Sequence, residues 1–141
     1  MSKSDSKVDL LRGVPLFRLC TDKELKDVAS LMDETKLDAG TILIKEGAVG
    51  EEAYIVASGT ATVTLRGDTL GEIGPGDAVG EMALLDVSPR SATVTATSEM
   101  TVFVLEPRSF GELLTRHPSV GKLMMAALAR RLRELEKAPT Y

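Results

Sequence analysis

At 141 residues the chain has the length of a single domain able to bury one substantial core. Its 43% hydrophobic and 27% charged residues are the balance of a folded globular protein and exclude disorder as its main state. A net charge of −4 excludes a strong general pull toward nucleic acid, the lone Cys20 excludes an internal disulfide, and no apolar run approaches the ~20 residues of a spanning helix.

With one cysteine and no cationic-plus-apolar leader, the expected compartment is the cytoplasm. The polar start, Met1-Ser2-Lys3-Ser4-Asp5-Ser6-Lys7, predicts a frayed tail over residues 1–7. Helices are expected over 8–33. Val8, Leu10, Leu11 and Phe17 suggest a short first element. Thr21, followed by Asp22 and then Glu24, has the form of a capping box opening a helix through Leu25, Val28, Ala29 and Met32.

From 34 to 106 the period changes. Short runs rich in β-branched residues over 41–45, 53–57, 61–65, 69–73, 92–96 and 101–105 predict strands, and turn signals such as Ser58-Gly59 and Gly74-Pro75-Gly76-Asp77 separate most of them. All but three of the twelve glycines lie between Gly40 and Gly80, as a tightly bent antiparallel sheet requires. Helical spacing returns over 107–137. Pro107 stands where a helix can begin, and Pro118 opens a longer one carrying Val120, Leu123, Met124, Ala127, Leu128, Leu132 and Leu135. The single expected domain, 1–141, is thus α+β: an antiparallel barrel or sandwich between N- and C-terminal helices.

Within the strand zone, residues 80–94 stand apart. Gly80-Glu81-Met82-Ala83-Leu84-Leu85 is followed by Pro89-Arg90-Ser91-Ala92-Thr93-Val94. A short helix starting near Gly80 presents backbone N–H groups to an anion. Arg90 offers a planar fork for phosphate oxygens, and the ionised Glu81 is an acceptor suited to a ribose hydroxyl. An arbitrary Glu–Arg pair is ordinarily only an exposed ion pair; here the pair lies inside a longer pattern in a β context. No Cys or His stands at ligand spacing around His117, so no metal is expected, and neither a hydrolase phosphate loop nor a Ser-His-acid set is present. Binding without turnover is the expectation, not catalysis.

Together these residues carry a resemblance to the cyclic nucleotide-binding domain, a family that includes catabolite activators, regulatory subunits of cyclic AMP-dependent kinase and cyclic nucleotide-gated channels. It spans about Leu11 to Leu135, and Gly47, Gly59 and Gly76 agree with the family's turn positions. The resemblance implies a jelly-roll-like β-roll with an internal phosphate-binding cassette helix. It implies that Arg90 and the amides of Met82, Ala83 and Ser91 hold the cyclic phosphate close to Gly80, and that Glu81 takes the 2′-hydroxyl and also holds Arg90 in place. Val63 and Leu70 are expected beneath the purine. Ser91 leans toward cyclic AMP, with cyclic GMP the alternative, and Arg131 is the favoured lid residue among Arg130, Arg131 and Arg133. Where the catabolite activator has a Thr-Ser pair contacting adenine, this chain has Leu135-Glu136, so that contact is not carried over.

The expected partners are a cyclic nucleotide and an effector domain or protein; no cofactor is implied. Leu128, Leu132 and Leu135 leave three uses open: packing on the roll, covering the base, or pairing with a second chain as a homodimer. A catabolite-type regulator appends a DNA-binding domain after this helix, and only Ala138-Pro139-Thr140-Tyr141 follow here, so this chain alone is not expected to bind nucleic acid. An interaction module of the same fold is the third reading.

Overall fold

A computed structural model describes residues 3–136, with side chains from 6 to 135. The chain divides into two compact units. Of the described residues, one comprises 3–30 and 111–136, the other Leu31–Phe110.

The first unit is helical. α1 (Lys3–Arg12) starts inside the stretch expected to be frayed, and a 3-10 turn (Pro15–Phe17) leads to α2 (Asp22–Ala29). The capping box is present. The Thr21 N–H and hydroxyl donate to Glu24 Oε1 at 2.8 and 2.9 Å, and the Glu24 N–H donates back to the Thr21 hydroxyl at 3.4 Å. α2 stops at Ala29, three residues before Met32. α3 (Pro107–Arg116), which enters this unit from Gly111 onward, and α4 (Pro118–Glu136) begin at the two prolines, as expected; Lys137 lies outside the described residues. Leu11, Phe17, Leu25, Val28, Val120 and Met124 are almost wholly buried, each such side chain contributing ~1.5–3 kcal/mol.

Glu24 is the one charged side chain buried with them among the described residues, at 8% exposure. A hydrogen bond from Ser119 on α4, then that from the Thr21 amide, holds its carboxyl below the ordinary range against the opposing effect of burial. Burial, reinforced by Glu24, pushes the Cys20 thiol up to about 11, so it is neutral at pH 7. His117 sits between α3 and α4 with Nδ1 3.8 Å from Asp27. Among the described residues no helix is long and apolar enough to cross a membrane.

The second unit is antiparallel throughout. β1 (Asp33–Leu37), β10 (Met100–Leu105), β4 (Ala53–Ser58) and β7 (Ala78–Val79) form one sheet in that order. β2 (Ile42–Ile44), β9 (Thr93–Ala96), β5 (Ala61–Leu65) and β6 (Asp68–Ile73) form the second, and β3 (Val49–Gly50) pairs with β8 (Ser88–Pro89). The roll is therefore two open four-stranded sheets with a two-stranded ribbon rather than a closed barrel. Ile44, Ala61, Val94 and Ala96 of one sheet meet Val56, Met100, Val102 and Val104 of the other in a shared core. In β9 the period of two is plain: Val94 and Ala96 are buried while Thr93 and Thr95 are only half-buried.

Two details of this frame place the site. β4 pairs with β7 through Tyr54↔Val79 and Ile55↔Ala78, which delivers the chain at Gly80 against the end of β4. β3 pairs with β8 through Val49↔Pro89 and Gly50↔Ser88, which brings the 47–52 loop beside Arg90.

Candidate functional site

After β7 the chain turns at Gly80, whose φ of +75° lies in the left-handed region that glycine adopts without penalty. A four-residue 3-10 turn, Glu81–Leu84, follows. It buries Ala83 and Leu84 and leaves Met82 exposed. The chain returns through β8 to Arg90 and enters β9. Turn and return strand enclose a cavity of about 400 Å³, within the ~300–1,000 Å³ typical of small-molecule sites.

Seven of the nine expected binding residues line this cavity: Val63, Gly80, Glu81, Met82, Ala83, Arg90 and Ser91. Ile44, Val79 and Val94 give it apolar walls. Leu70 is not among the lining residues; its side chain is 61% exposed. The cause is a bulge in β6. Val63 pairs with Gly71 and Thr64 with Thr69, so Leu70 is the extra residue. The residue that shares a face with Val63 is Gly71, and the space a side chain would take there is open. Arg131 lies on α4 in the helical unit, with an exposed side chain.

The arginine is held differently from the expectation. Arg90 Nη2 donates to the Glu52 carbonyl at 2.6 Å and Nη1 to the Gly80 carbonyl at 3.4 Å. Among the described residues no ion pair within 4.0 Å joins Glu81 to Arg90, so Glu81 is not what holds it. Two backbone carbonyls do that work, which leaves the carboxylate uncommitted to the arginine. The Ala83 N–H donates to the Gly80 carbonyl at 3.1 Å, so one of the three amides expected to meet a phosphate is engaged inside the turn.

Two glycines clear space for the guanidinium. A Cβ built at Gly80 would run into Nη1 and stand 3.1 Å from the Glu52 carbonyl oxygen, and one at Gly50 would overlap the guanidinium itself. Neither Gly50 nor Glu52 is recognisable as a site residue in the sequence. Gly50 shows there only as a turn signal, and Glu52 contributes a backbone oxygen that any residue type would supply. Among the described residues no group of three or more His, Cys, Asp or Glu is placed to hold a metal ion.

A planar cationic fork, a carboxylate and a short turn at the mouth of a partly apolar cavity can take a small ligand that carries a phosphate, a hydroxyl and a flat apolar part. Comparison with known proteins agrees with that chemistry. The sequence matches the cyclic nucleotide-binding domain family over residues 34–117. The chain belongs to this family.

Its relatives include the cAMP-dependent protein kinase regulatory subunit of Mycosarcoma maydis, 33% identical over 96% of this chain and 31% of that protein. Among solved structures, the N-terminal domain of a transcriptional regulator from Streptomyces coelicolor A3(2) superposes with a TM-score of 0.84 at 32% identity, covering 94% of this chain and 95% of that one. The regulatory domain of Toxoplasma gondii PKA, solved with cAMP, has a TM-score of 0.72 at 37% identity over 79% of this chain and 44% of its own. The chain spans about a third of the length of the first curated relatives it matches. In this cyclic nucleotide-binding domain, residues 80–94 lie wholly within the matched region and within the strand unit.

Proposed function

We propose that the cavity binds a cyclic ribonucleotide, cyclic AMP ahead of cyclic GMP, and that the chain is a sensor whose C-terminal helices relay occupancy to an effector domain or protein. The observation that carries this reading is the convergence of Gly80, Glu81, Arg90 and Ser91 on one cavity with the arginine fork already fixed. In this reading the remaining guanidinium donors and the amides of Met82 and Ser91 take the phosphate. Glu81 accepts the ribose 2′-hydroxyl, and Val63 supports the base with the gap at Gly71 beside it. Arg131 caps the base from α4 by stacking. A helix shift follows binding only if one arrangement of the helices contacts the nucleotide better than the other.

Isothermal calorimetry with cyclic AMP, cyclic GMP and 5′-AMP tests the proposal. Binding of a cyclic nucleotide, with the linear one weak or silent, supports it. Silence from both cyclic nucleotides overturns it in favour of an interaction module of the same fold. The likeness to an isolated N-terminal domain of a transcriptional regulator favours a second reading, in which this sensor serves as the ligand-binding part of such a regulator. Recognition of the nucleotide is the same in both, and a gel shift with random-sequence DNA at low and high salt reports any DNA affinity of this chain itself.

A further inference from the structure

The hairpin of β5 and β6 carries Val63, which lines the cavity, and Gly71, which pairs with it. Its turn is Arg66-Gly67, and the pairs next to the turn are Leu65↔Asp68 and Thr64↔Thr69. A two-residue turn with left-handed backbone at both places favours Asn, Asp or Gly at the first of them. Here Arg66 has φ +52° and Gly67 +85°, and Arg66 is the one non-glycine residue with positive φ among the described residues. An arginine in that conformation carries a steric cost that another contact has to offset. The turn also projects past its neighbouring strand, because the β5–β9 ladder ends at Thr64↔Thr93.

Glu46, half-buried just after β2, supplies the contact. Its carboxylate accepts the Arg66 N–H at 3.0 Å, and its own N–H donates to the Thr93 hydroxyl at 3.0 Å. One residue thus fastens the turn to the start of β9, where Ala92 and Val94 on either side of Thr93 line the cavity. The form of the turn reaches further into the hairpin. With Leu65↔Asp68 and Thr64↔Thr69 set by two turn residues, Val63 meets Gly71 only through the bulge at Leu70. A turn one residue longer would pair the strands with no residue left over, and without the bend and extra twist that a bulge imposes.

We propose that Glu46 is a positioning residue for nucleotide binding: its clasp on Arg66 holds the turn in the two-residue form, and so fixes Val63 and the open space at Gly71 beside the base. The proposal rests on the reading that this cavity takes a cyclic nucleotide.

The clasp itself is read without ligand, by NMR of the Arg66 amide proton between pH 3 and 7. In the wild type its shift should follow a carboxylate titration, and in Glu46→Gln it should not. Calorimetry with cyclic AMP and cyclic GMP then reads the positioning. Glu46→Ala should weaken cyclic AMP by about 2- to 12-fold, the net span of one hydrogen bond, and change its ratio to cyclic GMP. Glu46→Gln, whose carbonyl accepts the same N–H, should stay within about twofold of wild type. Adding Arg66→Gly to Glu46→Ala should restore affinity and ratio, because glycine takes the left-handed turn unaided. An Arg66 amide that ignores pH in the wild type, equal weakening of both nucleotides, or no rescue by Arg66→Gly overturns the proposal with the functional reading intact. A wild type that binds neither nucleotide overturns the functional reading and this role with it. Should Glu46→Ala fail to fold, recovery of folding and affinity in the double variant supports the clasp, and failure of the double variant refutes it.

Discussion

Replacing Arg90 by lysine keeps the charge and removes the fork, so it isolates what the guanidinium geometry contributes. Guanidinium has five N–H donors. Two are engaged by the carbonyls of Glu52 and Gly80, which leaves three for a phosphate, carried on a plane whose orientation those carbonyls fix. An ammonium has only three donors on one centre. Lysine at position 90 can keep the Glu52 carbonyl or face the phosphate squarely, and cannot match the arginine in both. The loss corresponds to about one charge-assisted hydrogen bond, ~1.5–3 kcal/mol, or about 10- to 150-fold in Kd. Calorimetry with cyclic AMP at 25 °C on wild type and Arg90→Lys measures it, and a melting curve checks that the fold is retained. A Kd within about twofold of wild type, below what one such bond supplies, would refute the reasoning and remove Arg90 from the site.

Glu81→Gln should weaken cyclic AMP and leave 2′-deoxy cyclic AMP, which lacks the hydroxyl, nearly unaffected; equal losses for the two would detach Glu81 from the ribose. Glu24, whose carboxyl is held low by Ser119 and Thr21, should add stability at pH values above the ordinary carboxylate range of ~4.3 and lose it as pH falls through its depressed value. Urea titrations of wild type and Glu24→Gln across pH 3–7 check this, and a stability difference that does not shrink toward acid sinks it. Arg131→Ala should loosen cyclic AMP and shift its preference over cyclic GMP. If both stay as they were, Arg131 is a solvated residue favoured near a helix C-terminus by the backbone dipole.

The strands legible in the sequence are those whose own residues fill the core: Val94 and Ala96 of β9, or the nearly continuous apolar run of β10. β1 is not legible. Asp-Glu-Thr-Lys-Leu has four exposed residues in five, and it is a strand because β10 offers it an edge over five paired positions. Those pairs run from Asp33↔Val104 to Leu37↔Met100, so the strand is decided by a neighbour distant in the chain rather than by its own residues. The two-residue strands β3, β7 and β8 are set in the same way by their partners and carry no periodicity to read.

The site divides along the same line. Side chains chosen for their chemistry, Glu81, Arg90 and Ser91, are visible in the sequence and do meet at one cavity. What holds Arg90 is not, because backbone carbonyls are blind to residue type. The charge pattern suggests Glu81 as its anchor, and the structure gives the Glu52 and Gly80 carbonyls instead. Leu70 misses the cavity for another reason: strand alternation places it there only without a bulge, and the bulge between Val63 and Thr64 hands its place to Gly71.

Affinity and selectivity separate in the same way. The proposed phosphate end is built from main chain: carbonyls of Glu52 and Gly80 steer Arg90, and bonds with Gly47 and Ala48 fix its backbone. Those contacts are all made by the chain itself, so they restrict the side chain without calling on the ligand. They also contain nothing that differs between one cyclic nucleotide and another. Base discrimination must then come from other parts of the cavity lining, from Val63 with the open space at its neighbour Gly71 and from the hydroxyl of exposed Ser91. Changes at Arg90 should accordingly move cyclic AMP and cyclic GMP together, while changes around Val63, Gly71 and Ser91 should move them apart.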